Sequence, residues 1–193
     1  PNKDVSKRVK QRLDSIAKPL DGLGRFENVI SDIGGILGTE DFSLCKKSVI
    51  VMCADNGIVD EKISQSTQEV TYIVSQNMVK GITSVCKMAD IVGAKVMPVD
   101  IGINNKNPIE GIIHKKVSFG TKNFLKEPAM SEEKVLEAIE VGIELVKKCK
   151  LENYEIIATG EMGIGNTTTS SAVAAAITGC DVEKITGRGA GLS

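Results

Sequence analysis

Three short runs constrain this chain more than any other feature: SVIVMCA at 48–54, KVMPVDIG at 95–102 and YEIIATG at 154–160. The first is continuously apolar, too short for a helix and rich in β-branched residues, so it reads as a strand buried on both faces. The other two read as a second strand and a third, buried one. Helical patterns lie between them. Val70, Ile73, Val74 and Met78 align within 67–80, and a further helix is predicted over about 82–92. After an irregular stretch at 103–130, with room for a short strand at 112–119, Ser131 is the N-cap of a strong helix. Glu132 and Glu133 favour the positive end of its dipole, and Val135, Ile139, Ile143 and Val146 form its expected buried stripe. Strands alternating with helices at least three times predict an α/β fold with a mostly parallel sheet.

The first forty residues follow another pattern. Val5, Val9, Leu13 and Ile16 predict an amphipathic helix. KPLDGLGRFE at 18–27 then makes an ordered turn, and Phe26, Val29, Ile30 and Ile33 predict a second helix ending near Gly34-Gly35.

Charge and composition remove several functions. With 24 Lys+Arg against 25 Asp+Glu and 3% aromatic residues, neither a basic nucleic-acid or membrane footprint nor a base-stacking surface is expected. Cys45, Cys53, Cys86, Cys149 and Cys180 are scattered, which argues for buried reduced thiols rather than a disulfide framework or thiolate metal site. No apolar stretch is long enough to span a bilayer, and PNKDVSKRVKQRLDS has no apolar signal region, so a soluble cytoplasmic protein is expected. No metal-ligand cluster is evident, and the single histidine, His114, reads as a loop residue rather than a catalytic one.

Glycine, 19 of 193 residues against an average of about 7%, concentrates after the third strand at Gly160, Gly163 and Gly165. Loops beyond the carboxyl ends of parallel strands are where ligands bind. Glycines there admit a close backbone approach, and the N–H groups of the next helix face an anion. Asn166, Thr167, Thr168 and Thr169 add an N-cap and hydroxyls, a set that suits a phosphate. The loop lacks the lysine of a Walker motif, and Thr168 stands where a dinucleotide fingerprint needs its third glycine. A tight turn with small residues for packing is the other reading, and Ala172, Ala174, Ala175 and Ala176 fit a helix drawn close to a sheet. Glu161 would repel a phosphate. It suits a sugar hydroxyl or the positive charge of an oxocarbenium-like ribosyl centre, or it caps backbone N–H groups.

KPLDGLGRFE, ADNGIVDEKIS at 54–64 with TQEVT at 67–71, GEMGIGNTT at 160–168 and GRGAG at 187–191 occur in the order found in one family. The chain resembles the nicotinate-nucleotide–dimethylbenzimidazole phosphoribosyltransferases over its whole length. The resemblance implies transfer of phosphoribose from nicotinate mononucleotide to 5,6-dimethylbenzimidazole, giving α-ribazole 5′-phosphate and nicotinate for cobalamin nucleotide-loop assembly. It implies a homodimer, small-molecule substrates and no cofactor. Its fold would be a Rossmann-like large domain, here 41–193, with residues 1–40 in a smaller domain built from both chain ends. Glu161, Gly163, Gly165, Asn166, Thr167 and Thr168 would contact the nucleotide, with Asp55, Ser64 and Gln68 near the incoming base.

The family's general base, a glutamate close to its C-terminus, has no counterpart in GRGAGLS at 187–193. The resemblance therefore implies a chain matching the N-terminal part of the family, with an incomplete sheet and little activity alone. A non-catalytic nucleotide- or base-binding module is the alternative, and an enzyme using the same loop on another phosphorylated substrate is a third reading.

Overall fold

Asn2 opens the first helix, α1 (Lys3–Ser15), by accepting the N–H groups of Asp4 and Val5 at 3.1 and 3.2 Å. The fold is that of a computed structural model describing residues 1–189, and it divides into two units, Pro1–Leu44 and Cys45–Ser193.

In the first unit α1 packs on α2 (Arg25–Leu37). The second helix does not end at Gly34-Gly35 as predicted but runs on to Leu37, and Gly38 closes it in the left-handed region. The glycine pair is a point of contact: a Cβ on Gly34 would lie 2.6 Å from Val9 Cγ2, and one on Gly35 2.1 Å from Ser6 Oγ. The inward face of α2 is accordingly Glu27, Ser31, Gly34 and Gly35, while Phe26 and Val29 are exposed.

Glu27 organises this unit. Its buried carboxylate accepts Lys10 Nζ and Lys18 Nζ, each at 2.7 Å, and the Leu23 N–H at 3.1 Å. KPLDGLGRFE is ordered because its first residue, an inner N–H and its last residue close on one another. Asp14 and Asp21 also bond Lys10, at 2.8 and 2.6 Å, so these three carboxylates converge on an ammonium group. The two lysines hold the Glu27 carboxyl down at about 2, and the three carboxylates hold the Lys10 ammonium above its ordinary value.

In the second unit β1 (Lys47–Ala54) lies between β2 (Ala94–Gly102) and β4 (Ile156–Met162), and β3 (Ile113–His114) pairs with β2. The order is β3-β2-β1-β4, with every pair parallel. Alternate residues of β1 feed two cores. Ile50 joins Met97 and Val99 of β2, Val117, and Val141, Leu145 and Cys149 of α5 (Glu132–Leu151). Val51 and Cys53 join Met78 of α3 (Glu69–Val79), Cys86 of α4 (Ser84–Ile91), and Ile103, Ile109 and Ile112. Those three isoleucines, with a Lys116–Asp100 ion pair at 3.2 Å, give the irregular stretch its order. The remaining helices are α6 (Asn166–Thr178) and α7 (Val182–Ile185).

Several expectations are corrected, among them the burial of all five cysteines. The third strand is not buried: β4 pairs with β1 alone among the described residues, and Ile156 is 37% exposed. On α5, Val135, Ile139, Ile143 and Val146 are 41–55% exposed, because the helix carries two apolar stripes and the one through Leu145 takes the sheet. On α3 Met78 is buried, but Ile73 is exposed and the hydroxyl residues Thr71 and Ser75 are fully buried instead. The alanine-rich α6 has no buried residue. Of the cysteines, Cys53, Cys86 and Cys149 are buried while Cys45 and Cys180 are exposed.

Because the Glu27 pKa is about 2 in the fold against an ordinary 4.5, its stabilisation is complete above pH 4.5 and lost as pH falls towards 2. Thermal melts across that window should show the loss. Glu27→Gln should be less stable than wild type at neutral pH and lack this acid slope; a variant that keeps the wild-type slope contradicts the assignment.

Candidate active site

Parallel pairing delivers β1 and β4 to the same edge of the sheet, with Cys53 opposite Met162. Asp55-Asn56-Gly57 and a 3-10 turn (Gly57–Glu61) follow the first strand; Gly163-Ile164-Gly165 and α6 follow the other. Segments 63–66, 162–168 and 187–189 wall a cleft of about 470 Å³, a size suited to a small ligand.

Two glycines shape its floor. At Gly163 a Cβ would stand 2.4 Å from the Ala54 carbonyl and 2.8 Å from Asn56 Nδ2, so any side chain would force the two strand ends apart. Gly165 has φ +84° and its Cβ would lie 2.7 Å from Val59 Cγ2, so the backbone angle and the space both demand glycine. Gly165, rather than Asn166, is the N-cap of α6. It has no side chain to offer the first-turn N–H groups, and Asn166 turns its amide to the Glu161 carboxylate.

Of the residues singled out from sequence, Ser64, Gly163, Gly165, Asn166, Thr167 and Thr168 line this one cleft. Glu161 stands beside it, tied to Asn166; desolvation raises its pKa and the Asn166 amide opposes that rise. Gln68 and Asp55 lie behind. Gln68 Nε2 donates to the Asn56 carbonyl at 2.9 Å. Asp55 is buried, its Oδ2 accepts the Asn104 N–H at 2.7 Å, and burial raises its pKa while hydrogen bonds from Asn104 and Thr71 oppose the rise. In the GRGAG turn, Ala190 and Gly191 lie outside the described residues, as does the rest of 190–193.

Sequence reading did not single out Arg188, Ser66 or Asn56. Arg188 is the one cation lining the cleft among the described residues, and the signal for it was a lone arginine inside a glycine turn. Ser66 completes a hydroxyl pair with Ser64, whose Oγ accepts the Ser66 N–H at 3.1 Å. Asn56 bonds Val59, Gln68, Ile164 and Thr169, residues far apart in the chain, which no local pattern reveals.

Helix N–H groups, hydroxyls of Ser64, Thr167 and Thr168, and one guanidinium thus face a cleft that no carboxylate lines among the described residues. That chemistry favours a phosphate. A parallel sheet with a glycine-floored helix N-terminus at its carboxyl edge is the arrangement of nucleotide- and phosphate-binding α/β proteins. A sequence model of the phosphoribosyltransferase family matches residues 1–193, and the chain belongs to that family, the one its motifs resemble.

Its relatives share a name. The nicotinate-nucleotide–dimethylbenzimidazole phosphoribosyltransferase of Acetivibrio thermocellus is 47% identical over 191 residues, which are 99% of this chain and 54% of that protein. The protein of the same name from Clostridium acetobutylicum is 46% identical over 192 residues, covering 100% of this chain and 54% of its own length. The crystal structure of CobT from Thermus thermophilus matches with a TM-score of 0.92 at 32% identity, over 98% of this chain and 57% of that one. The chain spans about half the length of the curated relatives it matches. No helix among the described residues is long and apolar enough to cross a membrane.

The glycine floor can be tested directly. Gly163→Ala should destabilise the protein by about 1–3 kcal/mol through forced strand separation and weaken binding of a phosphorylated ligand in titration calorimetry. Unchanged stability and affinity would contradict the close approach.

Proposed function

We propose that the complete protein transfers the phosphoribosyl group of nicotinate mononucleotide to 5,6-dimethylbenzimidazole or a related base, releasing nicotinate and forming α-ribazole 5′-phosphate. The observation that carries this reading is the cleft itself: in a phosphoribosyltransferase chain, a helix N-terminus, hydroxyls and Arg188 line one cleft that, among the described residues, no carboxylate lines. The name shared by the relatives supports the choice of substrates.

In this reading Gly163, Gly165, Thr167, Thr168 and Arg188 hold the phosphate, and Ser64 faces the incoming base. Gln68 and Asp55 shape that side from behind, through Asn56 and Asn104. Glu161, carried on Asn166 at the edge of the cleft, reaches the ribose. The bond between ribose C1′ and the nicotinate nitrogen breaks, its electron pair going to that nitrogen, as a nitrogen of the incoming base attacks C1′; the base's other nitrogen gives its proton to a general base, which the family resemblance implies is a glutamate. C1′ gains positive charge in passing, and a nearby carboxylate stabilises it. We take the protein to act in the cytoplasm as a homodimer, in keeping with the family resemblance.

Incubating the complete chain with nicotinate mononucleotide and 5,6-dimethylbenzimidazole should yield α-ribazole 5′-phosphate by chromatography; nucleotide binding without product would favour a binding module instead. Glu161→Gln should lower kcat by about 100-fold, as for loss of one transition-state stabilising group, with nucleotide affinity little changed. Unchanged kcat would reduce Glu161 to a structural partner of Asn166.

A further inference from the structure

Asn56 takes no direct part in the chemistry above, yet both ends of its side-chain amide are bonded to the segment that walls the cleft. It is 8% exposed. Its Nδ2 donates to the Ile164 carbonyl at 3.2 Å, and its Oδ1 accepts the Thr169 hydroxyl at 2.9 Å. Its own carbonyl accepts Gln68 Nε2 at 2.9 Å and the Val59 N–H at 3.2 Å. On the other side of the same loop residue, the Ile164 N–H donates to Thr71 Oγ1 at 3.1 Å. Ile164 is therefore pinned at its N–H by α3 and at its carbonyl by the end of β1.

The peptide that matters is the next one. A trans peptide directs its C=O and N–H in opposite senses. With the Ile164 carbonyl turned to Asn56, which does not line the cleft, the Gly165 N–H points the opposite way from Asn56, at a residue that does line it. Glycine at 165 is free to rotate, so the peptide needs an external hold to keep that orientation. Asn56 supplies it, and its bond to Thr169 fixes the first turn of α6 in the same frame.

We propose that Asn56 is a positioning residue for the nucleotide phosphate, aiming the Gly165 N–H and the α6 N-terminus at it without touching the ligand. The proposal rests on the phosphate-site reading above. An amide is required because one atom must donate to a carbonyl while the other accepts from a hydroxyl. Aspartate would set a carboxylate oxygen against the Ile164 carbonyl and turn the peptide away.

The test compares two ligands that differ only in the phosphate, nicotinate mononucleotide and nicotinate riboside, by titration calorimetry on the complete chain. Asn56→Asp should weaken mononucleotide binding by about tenfold or more, as for a lost hydrogen bond to a charged group, and leave riboside binding unchanged. Thr169→Val, a milder change, should act in the same direction by about threefold and keeps the question open to measurement if the first variant does not fold. Equal weakening of both ligands, or no weakening, would make Asn56 merely structural and overturn the proposal. A wild-type protein that binds the two ligands alike would overturn the phosphate site itself, and the role of Asn56 with it.

Discussion

The close approach of Gly163 to the Ala54 carbonyl is the constraint on which the rest of the site depends. Parallel pairing of β1 with β4 aligns the two strand ends, but alignment alone leaves room for a side chain between them. Here there is none to spare, since a Cβ would fall 2.4 Å from a backbone oxygen. With that contact made, Ile164 comes within reach of Asn56 and Thr71, Gly165 lies over Val59, and α6 begins at a defined place and angle. One wall of the cleft, 162–168, follows directly from the sheet, which is the condition for preorganised donors.

Charge is divided within this small region. The cleft is walled by hydroxyls, N–H groups and Arg188, and the Glu161 carboxylate lies against its rim, Oε1 2.6 Å from where a Gly163 Cβ would stand and Oε2 accepting the Asn166 amide. A phosphate and a ribosyl centre that becomes positive make opposite demands, and separating donor and acceptor groups by one side chain satisfies both. The second carboxylate, Asp55, is engaged in the framework: it is buried, fixes the start of the irregular stretch through Asn104, and is not among the residues that line the cleft.

The α/β class was legible because the sheet has a simple sequence signature, three short strands with helices between them, and the glycine loop after Met162 was legible because its composition is unusual. The site residues at 163–168 are consecutive, so finding the loop found them together. What was not legible depends on which of two chemically similar faces is chosen. On α5, Val135 to Val146 and Val141 to Cys149 are both apolar stripes, and only packing against Ile50 and Val99 selects the second. On α2, Phe26 and Val29 look like core, but the contact with α1 is made through Gly34 and Gly35, where the absence of side chains is the attraction. Asn56 and Arg188 come from separate segments and acquire meaning only when the chain ends of β1 and β4 are side by side.

The most direct measurement is a crystal structure of the complete protein with nicotinate mononucleotide bound. The account predicts the phosphate within about 2.7–3.2 Å of backbone N–H groups at the start of α6, with Arg188 beside it and the ribose turned towards Glu161. A phosphate seated elsewhere, or a nucleotide whose base occupies the glycine-floored end of the cleft, would contradict it.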